Sequence, residues 1–415
     1  MPSNASTALL PVILGGDFGV YGIGRSFNEA FACRSLCVSN SPAVAITRSN
    51  FFDVHHITAG ISDADLLATL LTIAQANEGR ELVLMANHDL HSSFIARNFD
   101  ALASVYALPF PSQEIIDQLT DKAGFARACA QLGIDTPRSV EVDFAHYDEN
   151  WRPPEIPFAF PVVAKAAKGE PYDRLHFEGK RKIWFIESAE QLEELWEMLA
   201  RAGFDDVFLV QELIPGDNTA MRSITAYVDS HGEVTLIGSA RVLLEDHAPT
   251  MIGNPVAMIT EDFPALWDAA ERLLTSSGYR GFANFDVKID PRDGRAVFFE
   301  VNPRIGRNNW YMSAAGLNPM TVMVADLVEH RRVEPGRISR EILYSMVPDS
   351  LLLKYIREDS LRAHVKGLIR SGLRFDPLLN PVEKDLRRNL TIRLQKLNHH
   401  RKFARYYPEA TDRSF

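Results

Sequence analysis

The chain of 415 residues holds three cysteines, Cys33, Cys37 and Cys129, and no C-x-x-C pair. An odd, unclustered set gives neither a disulfide framework nor a thiolate metal knuckle, and it fits a reducing compartment. Cys33 and Cys37, four apart on an expected helix, read as buried side chains. No apolar run reaches the roughly 18 residues of a membrane span, and residues 1–10 lack the basic start of a secretory signal. The expectation is a cytoplasmic protein. Internal repeats and low-complexity tracts are also missing, which sets aside solenoid and fibrous architectures. The early glycines form no G-x-G-x-x-G fingerprint with an acidic residue at the next strand end, so a nicotinamide dinucleotide is not expected.

What is present is the material of a folded protein: 46% hydrophobic and 24% charged residues, in a chain long enough for two or three domains. The net charge of −10 is unevenly spread. Residues 337–415 carry 17 Lys and Arg against 9 Asp and Glu, so the remainder is strongly acidic. The basic residues Arg387, Arg388, Arg393, Arg401, Lys402 and Arg405 suit a large anionic substrate or an anionic membrane surface. The alternative is a solvated helix face packed on the acidic body. No nucleic-acid reading motif accompanies them, so nucleic acid is not an expected partner.

Hydrophobic patterning divides the chain into an N-terminal parallel α/β domain over residues 1–115, an α+β domain over 116–335, and a basic, mainly helical region over 336–415. In the first, strands at 11–14, 35–38, 44–46 and 82–86 alternate with helices at 25–33 and 63–76. In the second, a helix begins at Lys122 with Thr120 or Asp121 as its cap, followed by helices at 189–202 and 264–277. Alternation on both sides of Asp290 to Gly294 marks a hairpin of residues 283–289 and 296–301.

That hairpin carries the chemistry. Glu300 and Asn302 are two apart and share a face, and Asp286 interrupts a strand otherwise rich in Phe282, Phe285 and Val287. Two carboxylates and an amide oxygen suit Mg²⁺, which takes oxygen ligands and completes its shell with phosphates and water. The alternative is a polar hairpin face. Arg304 follows, with a fork of donors able to hold phosphoryl charge. Lys165 ends the apolar run 162–164, where an ammonium asks for an anionic partner. The segment 166–182, with Gly169 and Gly179, reads as a flap over a triphosphate. Gln211, Glu212 and Leu213 end a strand before the Pro215-Gly216 turn, offering groups to an adenine edge, and Asp217 offers a carboxylate to ribose hydroxyls. Asp17, beyond Gly15 and Gly16, together with Arg222 and Arg241, are candidates for substrate contacts. Each also reads as a structural residue.

The ordered set Lys122, Lys165, 211–216, Asp286 and Glu300-Val-Asn302-Pro-Arg304 resembles the ATP-grasp superfamily. The resemblance implies two lysines (Lys122 and Lys165) on the nucleotide phosphates, adenine at a hinge between two α+β subdomains, and Mg²⁺ on Asp286, Glu300 and Asn302. More narrowly, the stretch from Ile13 to Asp17, Val20-Tyr-Gly22, Arg25 to Glu29 and Gly281 to Asp286 look like those of bacterial D-aspartate ligases. That likeness implies ATP-dependent formation of an acyl phosphate on an amino acid, with Lys165 and Arg304 in catalytic roles. Attack by the side-chain amine of a peptidoglycan precursor would give an amide and ADP.

Overall fold

The computed structural model describes residues 8–148, 150–167, 172, 174–181, 183–248 and 251–411. Part of the expected flap 166–182, including Gly169, lies outside the described residues.

The first sheet is parallel, in the order β3-β2-β1-β4, with β1 Leu9–Leu14, β2 Ser35–Ser39, β3 Phe52–His56 and β4 Glu81–Ala86. The β1 strand is buried throughout, as a continuous apolar run covered on both faces should be. The helix after it spans Phe18–Phe31, starting earlier than the 25–33 expected from the sequence. Asp17 caps it, accepting from the amides of Gly19 and Val20. Three glycines inside this helix weaken its propensity signal, but packing requires two of them. A Cβ on Gly24 would lie 2.1 Å from the Phe52 ring, and one on Gly19 would lie 2.1 Å from Asn87. Residues 44–46, expected as a strand, fall in the short helix Val44–Thr47. Cys37 lies on β2 and Cys33 in the preceding turn rather than together on a helix, and all three cysteines are buried and free.

The second sheet, in the order β5-β8-β6-β7, is antiparallel: β5 Ser139–Asp143, β6 Val162–Ala166, β7 Trp184–Ile186 and β8 Val207–Glu212. Helix Ala189–Arg201 covers one face, laying Leu192, Leu195, Trp196 and Leu199 on Val162, Ala164, Phe208 and Val210. By alternation Lys165 and Gln211 point to the face this helix leaves uncovered.

The third sheet has eight strands. Its main path is β13-β12-β9-β10-β11-β15-β16, with β9 Met221–Val228, β10 Val234–Glu245, β11 Pro255–Glu261, β12 Gly281–Ile289, β13 Ala296–Asn302, β15 Leu343–Ser345 and β16 Arg374–Phe375. β14, Gly336–Arg337, pairs with β10. The C-terminal region therefore contributes three strands to this sheet besides its helices. Helix Pro264–Ser276 packs Trp267, Leu273 and Leu274 on one face, against Ile224, Ala283 and Phe285. The other face, with Tyr227, Leu236 and Phe282, joins the core of the N-terminal domain around Tyr21, Ile23 and Phe27.

Candidate functional site

The register of the β12–β13 hairpin places Asp286 directly opposite Glu300 and Asn284 opposite Asn302. An irregularity just after Asp286 pairs Val287 with Phe298, so Phe299 is an extra residue. The bulge sets the two carboxylates face to face. The Asn302 amide donates to Asp286 Oδ2 at 3.3 Å. Arg304 donates from Nη2 to Asn302 Oδ1 at 3.1 Å and pairs through Nε with Asp89 Oδ1 at 2.9 Å. The sequence-predicted Asp286, Glu300, Asn302 and Arg304 thus form one connected group.

Burial, and then the negative charge of Glu300, push the Asp286 carboxyl up to about 7, while the Arg304 guanidinium opposes the shift. Two carboxyls that resist sharing full charge at such separation are what a divalent cation would relieve. Among the described residues no group of three or more His, Cys, Asp or Glu is placed to hold a metal. Asp286, Glu300 and Asn302 bring two carboxylates and one amide to this end of the hairpin, groups of the kind that Mg²⁺ accepts beside phosphate oxygens and water.

Behind this pair lies a second one that sequence reading missed. Lys288 shares the face of Asp286 and is almost fully buried, and burial lowers its ammonium to about 8 against the support of Glu245. Burial likewise raises Glu245 to about 8, with Lys288 opposing, and Asn218 Nδ2 donates to Glu245 Oε2 at 3.0 Å. Period-two alternation in β12 placed Lys288 with Asp286, but a lysine in a strand gave no sign of so complete a burial.

The hinge between the small and large sheets is a charged clasp. Glu212, at the end of β8, receives Arg138 at 2.9 Å and Arg292 and Arg295 at 3.0 Å each. Arg292 also holds the buried Asp290, whose carboxyl its hydrogen bonds pull down to about 2. For Glu212, burial works upward, but the hydrogen bonds from Arg138 and Arg292 outweigh it and leave the group below its usual value. The expected nucleotide residues divide here. Gln211 donates to Ser139 Oγ at 2.8 Å, Glu212 spends its carboxylate on the clasp, and half-buried Leu213 follows β8. Asp217 caps the turn Asn218–Ala220, with Oδ1 accepting from Thr219 N and Oγ1 at 2.8 and 2.6 Å. Lys165 lies on β6 opposite Leu209, and Lys122 opens helix Lys122–Gln131 behind its cap Asp121.

The other candidates are placed differently. Arg222 pairs with Val287 and Arg241 across the sheet, and therefore points to the face opposite Asp286. Both guanidiniums bond the Thr219 carbonyl, at 2.8 and 3.0 Å, with Glu261 3.8 Å from Arg222 and Glu358 3.6 Å from Arg241. These positions hold the sheet end rather than join the carboxylate group. Asp17 is more telling: beyond capping its helix it accepts from Asn87 at 3.0 Å and pairs with Arg307 Nε at 2.7 Å. Asn309 Nδ2 reaches Gly19 O at 3.1 Å, so the loop after Arg304 is fastened to the N-terminal domain. Arg307 also borders a cavity of about 190 Å³ lined by Phe18, Met251, Met346, His399 and Lys402. That cavity unites all three parts of the chain, which no local pattern could reveal.

Comparison with known proteins agrees with this geometry. Residues 121–327 match the family described as carbamoyl-phosphate synthase L chain, ATP binding domain. A D-aspartate ligase of Enterococcus faecium (strain Aus0004) is 28% identical over 418 aligned positions, covering 98% of this chain and 99% of that one. The fold is similar to N5-carboxyaminoimidazole synthetase from Staphylococcus aureus complexed with ADP (TM-score 0.55, 14% identity, 81% of each chain). It is also similar to L-amino acid ligase from Bacillus licheniformis (TM-score 0.51, 16% identity, 77% of this chain and 74% of that one). The domain match spans the hinge and the carboxylate hairpin, and the near full-length relative extends it to both ends: this chain belongs to the ATP-grasp carboxylate-amine ligases.

Proposed function

We propose that the enzyme joins a carboxylate of D-aspartate, or of a related amino acid, to the side-chain amine of a peptidoglycan precursor in the cytoplasm. The observation that carries this reading is the likeness to a D-aspartate ligase along 98% of the chain, including the region beyond residue 327 that the domain match leaves out. Magnesium-bound ATP supplies the phosphoryl group that activates the carboxylate. Asp286, Glu300 and Asn302 would hold the cation, and Lys122 and Lys165 would neutralise the phosphates. Gln211, Glu212, Leu213 and Asp217 would line the adenosine end. Arg304, held by Asn302 and Asp89, would offset charge at the phosphoryl group being transferred. The acyl phosphate then takes the amine's electron pair, phosphate leaves, and the amine gives up a proton. Water must be kept out of such a site, because it competes with the amine.

The test is release of ADP from Mg-ATP with a panel of D- and L-amino acids, with and without a pentapeptide precursor. Release that requires both a D-amino acid and the precursor, with D-aspartate giving the highest kcat/KM, is the expected result. Turnover with a free amino acid as the amine instead would move the enzyme to the synthesis of small peptides.

A further inference from the structure

We propose that the last helix, Leu386–Tyr406, is a docking surface for an anionic lipid membrane. Its inner side is anchored: Arg388, Ile392 and Phe403 are buried, and Lys396 and Lys402 are paired with Asp376 and Asp246. The outer side is not what a solvated face should be. Leu386, Leu390, Leu394 and Leu397 are 83%, 60%, 55% and 59% exposed, whereas the other described leucines, Leu90 apart, are buried or partly buried. Their spacing of four, four and three residues keeps them on one narrow stripe along three turns. Exposed Arg387, Arg393, Arg401 and Arg405 lie within or beside that stripe.

The occupant follows from the charge and the apolar stripe together. From Leu386 to Tyr406 there is no Asp or Glu, so a second copy laid on the stripe would set arginine against arginine with no compensating acid. The stripe also sets its apolar side chains between basic ones. A flat surface with an apolar interior and negative headgroups satisfies both features: leucines enter the acyl boundary while guanidiniums meet lipid phosphates. The rest of the chain is acidic and is repelled by such a surface, which confines the contact to this helix. The same helix lines the cavity beside Arg307 through Gln395, Asn398, His399 and Lys402, so docking would bring that cavity close to the membrane.

The inference rests on this surface and not on which amide the enzyme makes, so it is tested without turnover. Full-length protein is sedimented with vesicles of phosphatidylcholine alone or mixed with phosphatidylglycerol, at low and high salt. Binding is expected only to the mixed vesicles and is expected to fall with salt. Arg393→Gln and Arg401→Gln should each weaken partitioning about fivefold. Leu390→Ser combined with Leu394→Ser should abolish it with the melting temperature unchanged. Failure of the native protein to pellet with mixed vesicles overturns the proposal. So does equal pelleting of the leucine variant, or a dimer in sedimentation velocity that this variant dissolves.

Discussion

Asp286 and Glu300 face each other at the point where a bulge interrupts their strands, and the cost of that arrangement appears as the raised Asp286 carboxyl. A site that holds repelling groups together for a later ligand gives up stability for function. Glu300→Gln should therefore lower ADP release by at least about a hundredfold while leaving the melting temperature of the ligand-free protein unchanged or slightly raised. A melt in which the variant is clearly destabilised would mean that Glu300 serves the fold. Asp17 offers a second separation of roles. Asn caps a helix about as well as Asp, so Asp17→Asn should keep the N-terminal domain intact and lose only the charge facing Arg307. A drop in kcat at constant stability is the expected result, and Asp17→Ala should add a stability loss of about 1 kcal/mol. Sequence reading singled out both residues, but it could not distinguish a substrate contact from the cap and ion pair that Asp17 provides. Arg222 and Arg241 lie on the face opposite Asp286, which sequence reading could not show, because the use of each face of a central strand is decided by its neighbours.

Among the elements, the clasp at Glu212, Asp290, Arg138, Arg292 and Arg295 joins the end of the small sheet to the turn of the large-sheet hairpin. Its hydrogen bonds hold Asp290 at about 2, below the ordinary 3.8. A depressed carboxyl contributes stability that is complete above its unfolded value and is lost as pH falls through the folded one. Urea midpoints should accordingly decline between about pH 4 and about pH 2. Asp290→Asn should start lower and flatten that part of the profile. If native and variant profiles run parallel, the clasp does not carry the acid sensitivity. The hairpin itself was legible because an Asp-Gly turn between alternating runs is a local signal. The helix Phe18–Phe31 was only half legible, because Gly19, Gly22 and Gly24 argue locally against a helix and two of them are there for contacts with Asn87 and Phe52. Residues 44–46 failed for a related reason: a short β-branched run does not distinguish strand from helix.

At the scale of the molecule, the C-terminal region is bound into both other parts. Its strands extend the large sheet, and its last helix inserts Arg388 under the N-terminal domain. There the guanidinium bonds the Ala45 and Leu378 carbonyls, lies 4.7 Å from the Tyr21 ring centroid and comes within 3.5 Å of Glu383. Glu383 in turn accepts from Tyr21, Ser49 and the Asn50 amide. Arg388→Met would leave Glu383 buried without its cation and should cost about 3–5 kcal/mol, read as a lower urea midpoint. The double change with Glu383→Gln should recover part of that loss, and a double loss equal to the sum of the two single losses would show the pair to be uncoupled.

The sequence alone determined the parts whose signals are local. The carboxylate hairpin, the lysine near the end of β6 and the Pro-Gly turn were readable because spacing, turn chemistry and alternation act over a few residues. The tertiary structure decided what depends on packing between distant segments: the burial of Glu245 and Lys288, the face taken by Arg222 and Arg241, the Asp17–Arg307 link, and the cavity bordered by the last helix. The leucines of that helix show the difference most plainly. It is the packing of the opposite face onto the body that left them exposed.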